Sequence, residues 1–184
     1  MIEEIFAELA SKMAKAVSVA EEDFSTVRTG RANPAMFHGV KVEYYGTPTP
    51  LQQLASFQNP EARTLVITPY DRSAMKDIEN AIRDTPNLGV NPSNDGNVIR
   101  VVLPELTEER RREFVKLVRA KAEDARIALR SLRRKAKDDL DALKGEVSED
   151  EISRAEKRLD TETKKHVELV DAALERKERE LLEI

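Results

Sequence analysis

The 184-residue chain has no cysteine and no tryptophan, and only 4% of it is aromatic. Without cysteine there is no disulfide framework and no thiolate-held zinc. Histidine is nearly as scarce, with His38 and His166 alone, so a histidine-based metal centre or catalytic triad is not expected. No P-loop, GxGxxG or GxSxG pattern occurs. No run approaches the roughly 18 uncharged apolar residues of a membrane span. Residues 1–6 (MIEEIF) are acidic and mixed, unlike a signal or transit peptide. The expectation is a cytoplasmic protein that is not an enzyme, needs no cofactor and avoids the membrane. What the chain does have is charge: 31 Lys and Arg against 35 Asp and Glu, net −4, beside 40% hydrophobic content. That mixture favours long charged helices over disorder.

Proline and glycine are missing from most of the chain. All eight prolines lie between Pro34 and Pro104, together with Gly39, Gly46, Gly89 and Gly96, whereas the flanks hold only Gly30 and Gly145. The shift marks a domain of residues 31–104 inserted between helical parts at 1–30 and 105–184. The insert carries seven basic and seven acidic residues, so the net charge belongs to the flanks.

Within the flanks, apolar residues recur in steps of three and four. The first series is Ile2, Phe6, Leu9, Met13, Ala16, Ala20, Phe24 and Val27. The second is Val115, Val118, Ala122, Ala125, Leu129, Leu132, Ala136, Leu140 and Leu143. The third is looser: Ile152, Ala155, Leu159, Val170, Leu174 and Leu181. Each series lines one helix face. Thr107 is placed to cap the second helix and Ser148, with Glu151, to cap the third; Gly145 lies between them. A short link makes those two helices antiparallel neighbours, and three one-sided helices bury their stripes as a long bundle.

In the insert, residues 40–45 alternate into the Gly46–Pro50 turn, 64–68 form an apolar strand, 73–84 a helix, and 98–103 a strand after the Asn94-Asp95-Gly96 turn. That triplet lacks the spaced acids of a calcium loop. The fold class expected is α+β: a long antiparallel three-helix bundle with an inserted small β/α/β domain. Two crossings join them, at Gly30, Arg31 and Ala32 and at Leu103, Pro104 and Glu105, and they form a natural hinge.

The sharpest feature is a row of cations on the second long helix: Arg112, Lys116, Arg119, Arg126, Arg130, Arg133 and Lys137. Their spacing keeps them in line beside the apolar seam for about 35 Å, with only Glu123 interrupting. Residues 107–144 hold 13 basic and 8 acidic residues; residues 145–184 hold 8 and 13. Two readings compete. The row is a solvated face, or pairs with acids of a neighbouring helix; or it is free to grip a polyanion. Arginine leads lysine in the row, and arginine suits bidentate phosphate contact. The sequence shows few acids spaced to neutralise the row within the helix. With few aromatics nearby, stacking on single-stranded bases is not favoured, and phosphate recognition of folded RNA fits better. The free reading stands only if carboxylates of the adjacent helix leave the guanidiniums open. A second cluster gathers at the crossings: Arg28 and Arg31, then Arg110, Arg111 and Arg112. Helix capping by Arg28 is its equally weighted alternative. His38 reads as a loop residue, and His166 as packed or at the rim of the bundle.

Several segments resemble the bacterial ribosome recycling factors: RTGRANP at 28–34, VEYYGTPTPL at 42–51, DRS at 71–73, LGVNP at 88–92, LTEERR at 106–111, and Ala125-Arg126 on to Arg130 and Arg133-Arg134. The likeness spans the chain in order. Glu105 departs from it, standing where relatives often have a second proline. The resemblance implies an L-shaped, monomeric, non-enzymatic translation factor. Its bundle would lie on large-subunit ribosomal RNA and its small domain would be engaged by elongation factor G; together the two factors would split the post-termination ribosome and release messenger and transfer RNA. By matching position, Arg28, Arg31, Arg110, Arg130 and Arg133 would contact ribosomal RNA. The cationic row adds Arg119 and Arg126. The rival from another class is a coiled-coil adaptor that binds proteins through its bundle and runs as an elongated dimer.

Overall fold

The computed structural model describes residues 1–86 and 88–183. Four α-helices form: α1 (Ile2–Ser25), α2 (Met75–Asp84), α3 (Glu108–Asp141) and α4 (Glu149–Leu182). The six strands are β1 (Lys41–Tyr44), β2 (Thr47–Pro50), β3 (Ala55–Glu61), β4 (Thr64–Pro69), β5 (Ser93–Asn94) and β6 (Ile99–Val102). The chain divides into two compact units. One joins Met1–Phe24 to Lys116–Glu178; the other holds Ser25–Val115 and the chain from Arg179 onward.

The first unit is purely helical, and its stripes are buried as expected. Leu9, Met13, Val118, Ala122, Leu129, Leu140, Leu159 and Val170 are all essentially inaccessible. Several details differ from the sequence reading, among them Ala173, which is buried in place of the half-buried Leu174. Val17 takes the core position given to Ala16, which is only half-buried. The loose stretch of α4 is loose because Thr163, His166 and Lys177 occupy core positions there. Thr163 and His166 answer their own burial by bonding to α4 carbonyls: Thr163 Oγ1 donates to Leu159 O (2.8 Å), and His166 Nδ1 meets Glu162 O at 2.7 Å. Both caps form, since the Arg110 amide donates to Thr107 Oγ1 and the Glu151 amide to Ser148 Oγ. Gly145 has φ 94°, the left-handed region a helix-ending glycine supplies.

In the second unit β1 and β2 form a hairpin, and β3-β4-β6-β5 make an antiparallel sheet. Met75, Ile78 and Ile82 of α2 join Val42, Leu51, Leu65, Ile67, Ile99 and Val101 in one core. β2, β3 and β5 are missing from the sequence reading. In β2, Thr-Pro-Thr-Pro reads as a turn, yet Leu51 N donates to Val40 O. With period-two alternation Thr49 and Thr47 also face β1, and the prolines, which have no N–H, point away on an edge. β3 carries Pro60 where its register with β4 shifts, between Gln58 and Glu61. The hairpin turn uses Tyr45 (φ 50°) and Gly46 (φ 77°), the two positive angles of a tight two-residue turn. The Asn94-Asp95-Gly96 turn is held as expected, with Asp95 Oδ1 accepting from the Asn97 and Val98 amides.

Candidate nucleic-acid interface

The amphipathic pattern of α3 fixes where its cations go, and α4 determines what they meet. Arg119 Nε donates to Glu178 Oε1 at 2.6 Å. Arg126 donates through Nε and Nη2 to Asp171 Oδ1 at 2.9 and 2.6 Å, and Arg133 does the same to Asp160 Oδ1 at 2.9 and 2.7 Å. Lys137 lies 3.9 Å from Glu156. Positions stepping down α3 thus meet acids stepping up α4, as an antiparallel pair requires. Acids within α3 add to this: Glu123 accepts from Arg126 and Arg130, and Glu108, Glu113 and Asp141 serve Arg112, Arg110 and Lys137.

This corrects the expectation of a free row with few local acids for every member but Lys116, which has no ion-pair partner among the described residues. The physical cause is the charge split itself. An α3 rich in cations beside an α4 rich in carboxylates pairs across the seam at contact distance. Electrostatics register the pairing. Hydrogen bonds from Arg130 first, then Arg126, hold the Glu123 carboxyl below its usual range, while Asp171 and Glu178 raise the guanidinium values of Arg126 and Arg119. The groups are not equally held. Arg126 is 24% exposed with two acids on it, whereas Arg130 is 54% and Arg119 63% exposed.

At the crossings Arg28 is 4% exposed. Its Nη2 donates to Pro104 O at 2.6 Å, tying one crossing to the other, and Nε reaches only Thr29 O at 3.4 Å. It is neither a cap of the α1 carbonyls, the alternative the sequence left open, nor a surface cation. Burial first, then the charges of Arg110 and Arg111, lowers its pKa. Of the expected cluster, Arg110 and Arg111 thus lie close enough to Arg28 to act on its charge. Arg110 lies 4.8 Å over the Phe114 ring and pairs with Glu113; Arg111 donates to the Leu181 and Glu183 carbonyls. The Arg31 side chain is exposed and has no partner among the described residues.

The six positions expected to form a hinge are not alike. Ala32 and Leu103 are buried, and their amides donate to Ala62 O and Arg63 O, both at 2.7 Å, on the β3–β4 turn. Asn59 Nδ2 also donates to Ala32 O. Among the described residues, Gly30, Arg31, Pro104 and Glu105 have no such backbone ties to the sheet. A cleft of about 1100 Å³ opens beside them, with Arg31, Arg63, Glu105 and Arg112 on its wall.

Among the described residues no group of three or more His, Cys, Asp or Glu could hold a metal, and no helix is long and apolar enough to cross a membrane. The sequence reading passed over α4 as a source of cations. Lys157, Lys164 and Lys165 are exposed there with no ion-pair partner among the described residues. The sequence carried no signal for them, because Asp160, Glu162 and Glu168 stand three or four residues away and only the fold shows those acids unpaired with the lysines.

An α+β chain with a helical unit and a small sheet domain, whose candidate site is ordered surface charge, has the make-up of a binding protein. The chain belongs to the ribosome recycling factor family, whose model matches residues 20–182. A ribosome-recycling factor of Renibacterium salmoninarum is 64% identical over 186 residues, covering 100% of both chains. A solution structure of the ribosome recycling factor superposes with a TM-score of 0.77 at 43% identity, over 100% of this chain and 98% of that one. The T. thermophilus ribosome recycling factor, placed together with E. coli elongation factor G on the E. coli post-termination complex, matches at 45% identity and a TM-score of 0.69 over 100% of both chains.

Proposed function

We propose that the chain binds the ribosome after termination and, with elongation factor G, separates it into subunits, releasing messenger and transfer RNA for a new round. It acts in the cytoplasm as a monomer. The partner GTPase supplies the energy; this chain supplies a grip and a lever. One observation carries the reading: the likeness is full-length, and a relative 45% identical has been placed with that GTPase on a post-termination complex.

In this reading the bundle grips large-subunit ribosomal RNA through Arg31, Arg110, Arg119, Arg126, Arg130 and Arg133, and Arg28 acts by fixing the crossing that presents them. The seam pairs do not forbid this. Exposed ion pairs contribute little in water, and a phosphate offers a guanidinium the same bidentate geometry as a carboxylate. By exposure Arg119 and Arg130 exchange partners most readily, Arg133 less so and Arg126 least. Residues 31–104 move as the insert. Their pivot is Gly30–Arg31 and Pro104–Glu105, because Ala32 and Leu103 are bonded into the sheet domain, and the adjoining cleft gives room to swing. α3, with 34 residues, is a stiff element about 50 Å long.

Co-sedimentation of the full chain with bacterial large subunits across a salt series tests this. Log affinity should fall linearly with log salt, and Arg130→Gln with Arg133→Gln should weaken binding without changing the thermal melt. Affinity indifferent to salt and to both changes refutes the RNA contacts. Failure to split post-termination ribosomes with elongation factor G refutes the function.

A further inference from the structure

The seam pairing of α3 prompts a search for cations that the fold leaves without acids. Among the described residues Lys116, Lys121 and Arg134 of α3 are left without one but are spread along that helix, whereas one stretch of α4 gathers several. Arg154, Lys157, Lys164 and Lys165 are exposed. At 3.6 residues per turn they fall within about 100° of the helix circumference, directly opposite the buried Ile152, Ala155 and Leu159. Lys157, Lys164 and Lys165 have no ion-pair partner among the described residues, and Arg154 uses only Nε, on the Asp150 carbonyl, leaving its terminal nitrogens open. Arg158 borders the face but is occupied by Glu3 and stacked over Phe6.

The acids of this stretch are turned elsewhere. Asp160 and Glu156 lie on the α3 side, where they meet Arg133 and Lys137, and Glu162 approaches His166. Between Arg154 and Lys165 the outward face holds no carboxylate. Ser153 and Thr161 fill the remaining outward positions, and Glu168 closes the row one turn on. The open length is about 17 Å. No aromatic side chain lies in it, and its hydroxyls add donors but no apolar anchor. A protein interface of useful affinity needs an apolar or aromatic anchor; a phosphate backbone needs only spaced cations.

We infer that the outward face of α4 from Arg154 to Lys165 is a second RNA-backbone contact surface, distinct from the α3 row, through which the bundle engages ribosomal RNA on another side. The inference rests on the ribosome-binding reading above and adds a face to it. Lysine rather than arginine dominates here, so the contact is a point-charge one that reads phosphate density without fixing orientation. The α3 guanidiniums set the pose, and the α4 lysines add screened attraction.

The test compares the full chain with Lys157→Gln/Lys164→Gln/Lys165→Gln in binding to ribosomes across a salt series. Each lysine–phosphate pairing removed should flatten the log–log slope by about one, so a drop of about two to three is expected with an unchanged melt. The cysteine-free chain also allows a single Lys164→Cys variant to carry a tethered hydroxyl-radical probe, which should cleave ribosomal RNA on binding. Unchanged slope and affinity in the triple variant, while Arg130→Gln/Arg133→Gln still weakens binding, overturn the α4 face and leave the ribosome reading intact. A tethered probe that reaches only ribosomal protein overturns the RNA assignment. A wild-type chain that does not bind at all overturns both.

Discussion

If α4 carboxylates compete with phosphate for the α3 guanidiniums, removing one of them should improve RNA binding through its own arginine and no other. Asp160→Asn is the cleanest case, because Asp160 meets Arg133 through a single oxygen and lies exposed. The amide keeps the shape and removes the charge. An exposed pair is worth about 0.2–1 kcal/mol, so large-subunit affinity at low salt should rise by a factor of about 1.4 to 5. Arg133→Ala removes charge-assisted bonds worth about 1.5–3 kcal/mol each and should weaken binding tenfold or more. The double variant decides the matter. If the two groups compete, Asp160→Asn gives no gain once Arg133 is alanine, and the coupling energy equals the single-variant gain. Equilibrium co-sedimentation at two salt concentrations is sufficient. An equal gain from Asp160→Asn on both backgrounds marks a general charge effect and refutes the competition.

Three other changes probe the frame that carries the surface. Arg28→Ala strips the Pro104 carbonyl of a buried donor and should cost about 1–3 kcal/mol of stability, read from urea unfolding, while ribosome affinity of the folded fraction falls less than for Arg133→Ala. Leu129→Ala, at a position with no exposure, should cost about 2–5 kcal/mol and leave the salt slope of binding unaltered. Acid should loosen the seam. Glu123 has its pKa lowered in the fold, so its contribution is complete above the ordinary value of 4.5 and declines as pH falls through the lowered one. Thermal melts from pH 6 to pH 3 should therefore fall less steeply for Glu123→Gln than for the native chain.

Much of the fold was legible because long amphipathic helices state their buried face in every turn, and Thr107, Ser148 and Gly145 mark their ends. The proline-bearing strands were not. In β2 the ladder runs through Thr47 and Thr49 alone, and in β3 Pro60 falls at a register shift, so local composition reads as turn where the sheet overrides it. The positions of the cationic row were legible as well, but not its partners. Glu178, Asp171 and Asp160 stand 59, 45 and 27 residues from the arginines they meet, and only the register of α3 on α4 brings them together. Arg28 escaped for the same reason, since its bond to Pro104 spans 76 residues.

The same register explains how a chain of net −4 can serve a polyanion. Net charge counts every group alike, but a phosphate backbone responds to charge not already neutralised at short range. Asp160, Asp171 and Glu178 spend their field on α3 cations a hydrogen bond away, and each pair looks nearly neutral from beyond a Debye length of about 10 Å. What remains visible on the rod are the unpaired cations, among them Arg31 near the crossings, Lys116, Lys121 and Arg134 on α3 and Lys157, Lys164 and Lys165 on α4, together with whatever guanidiniums a phosphate can win from a carboxylate. Long-range attraction would then come from the lysines and orientation from the arginines. Removing the first should slow association and leave the bound pose unchanged; removing the second should raise the dissociation rate.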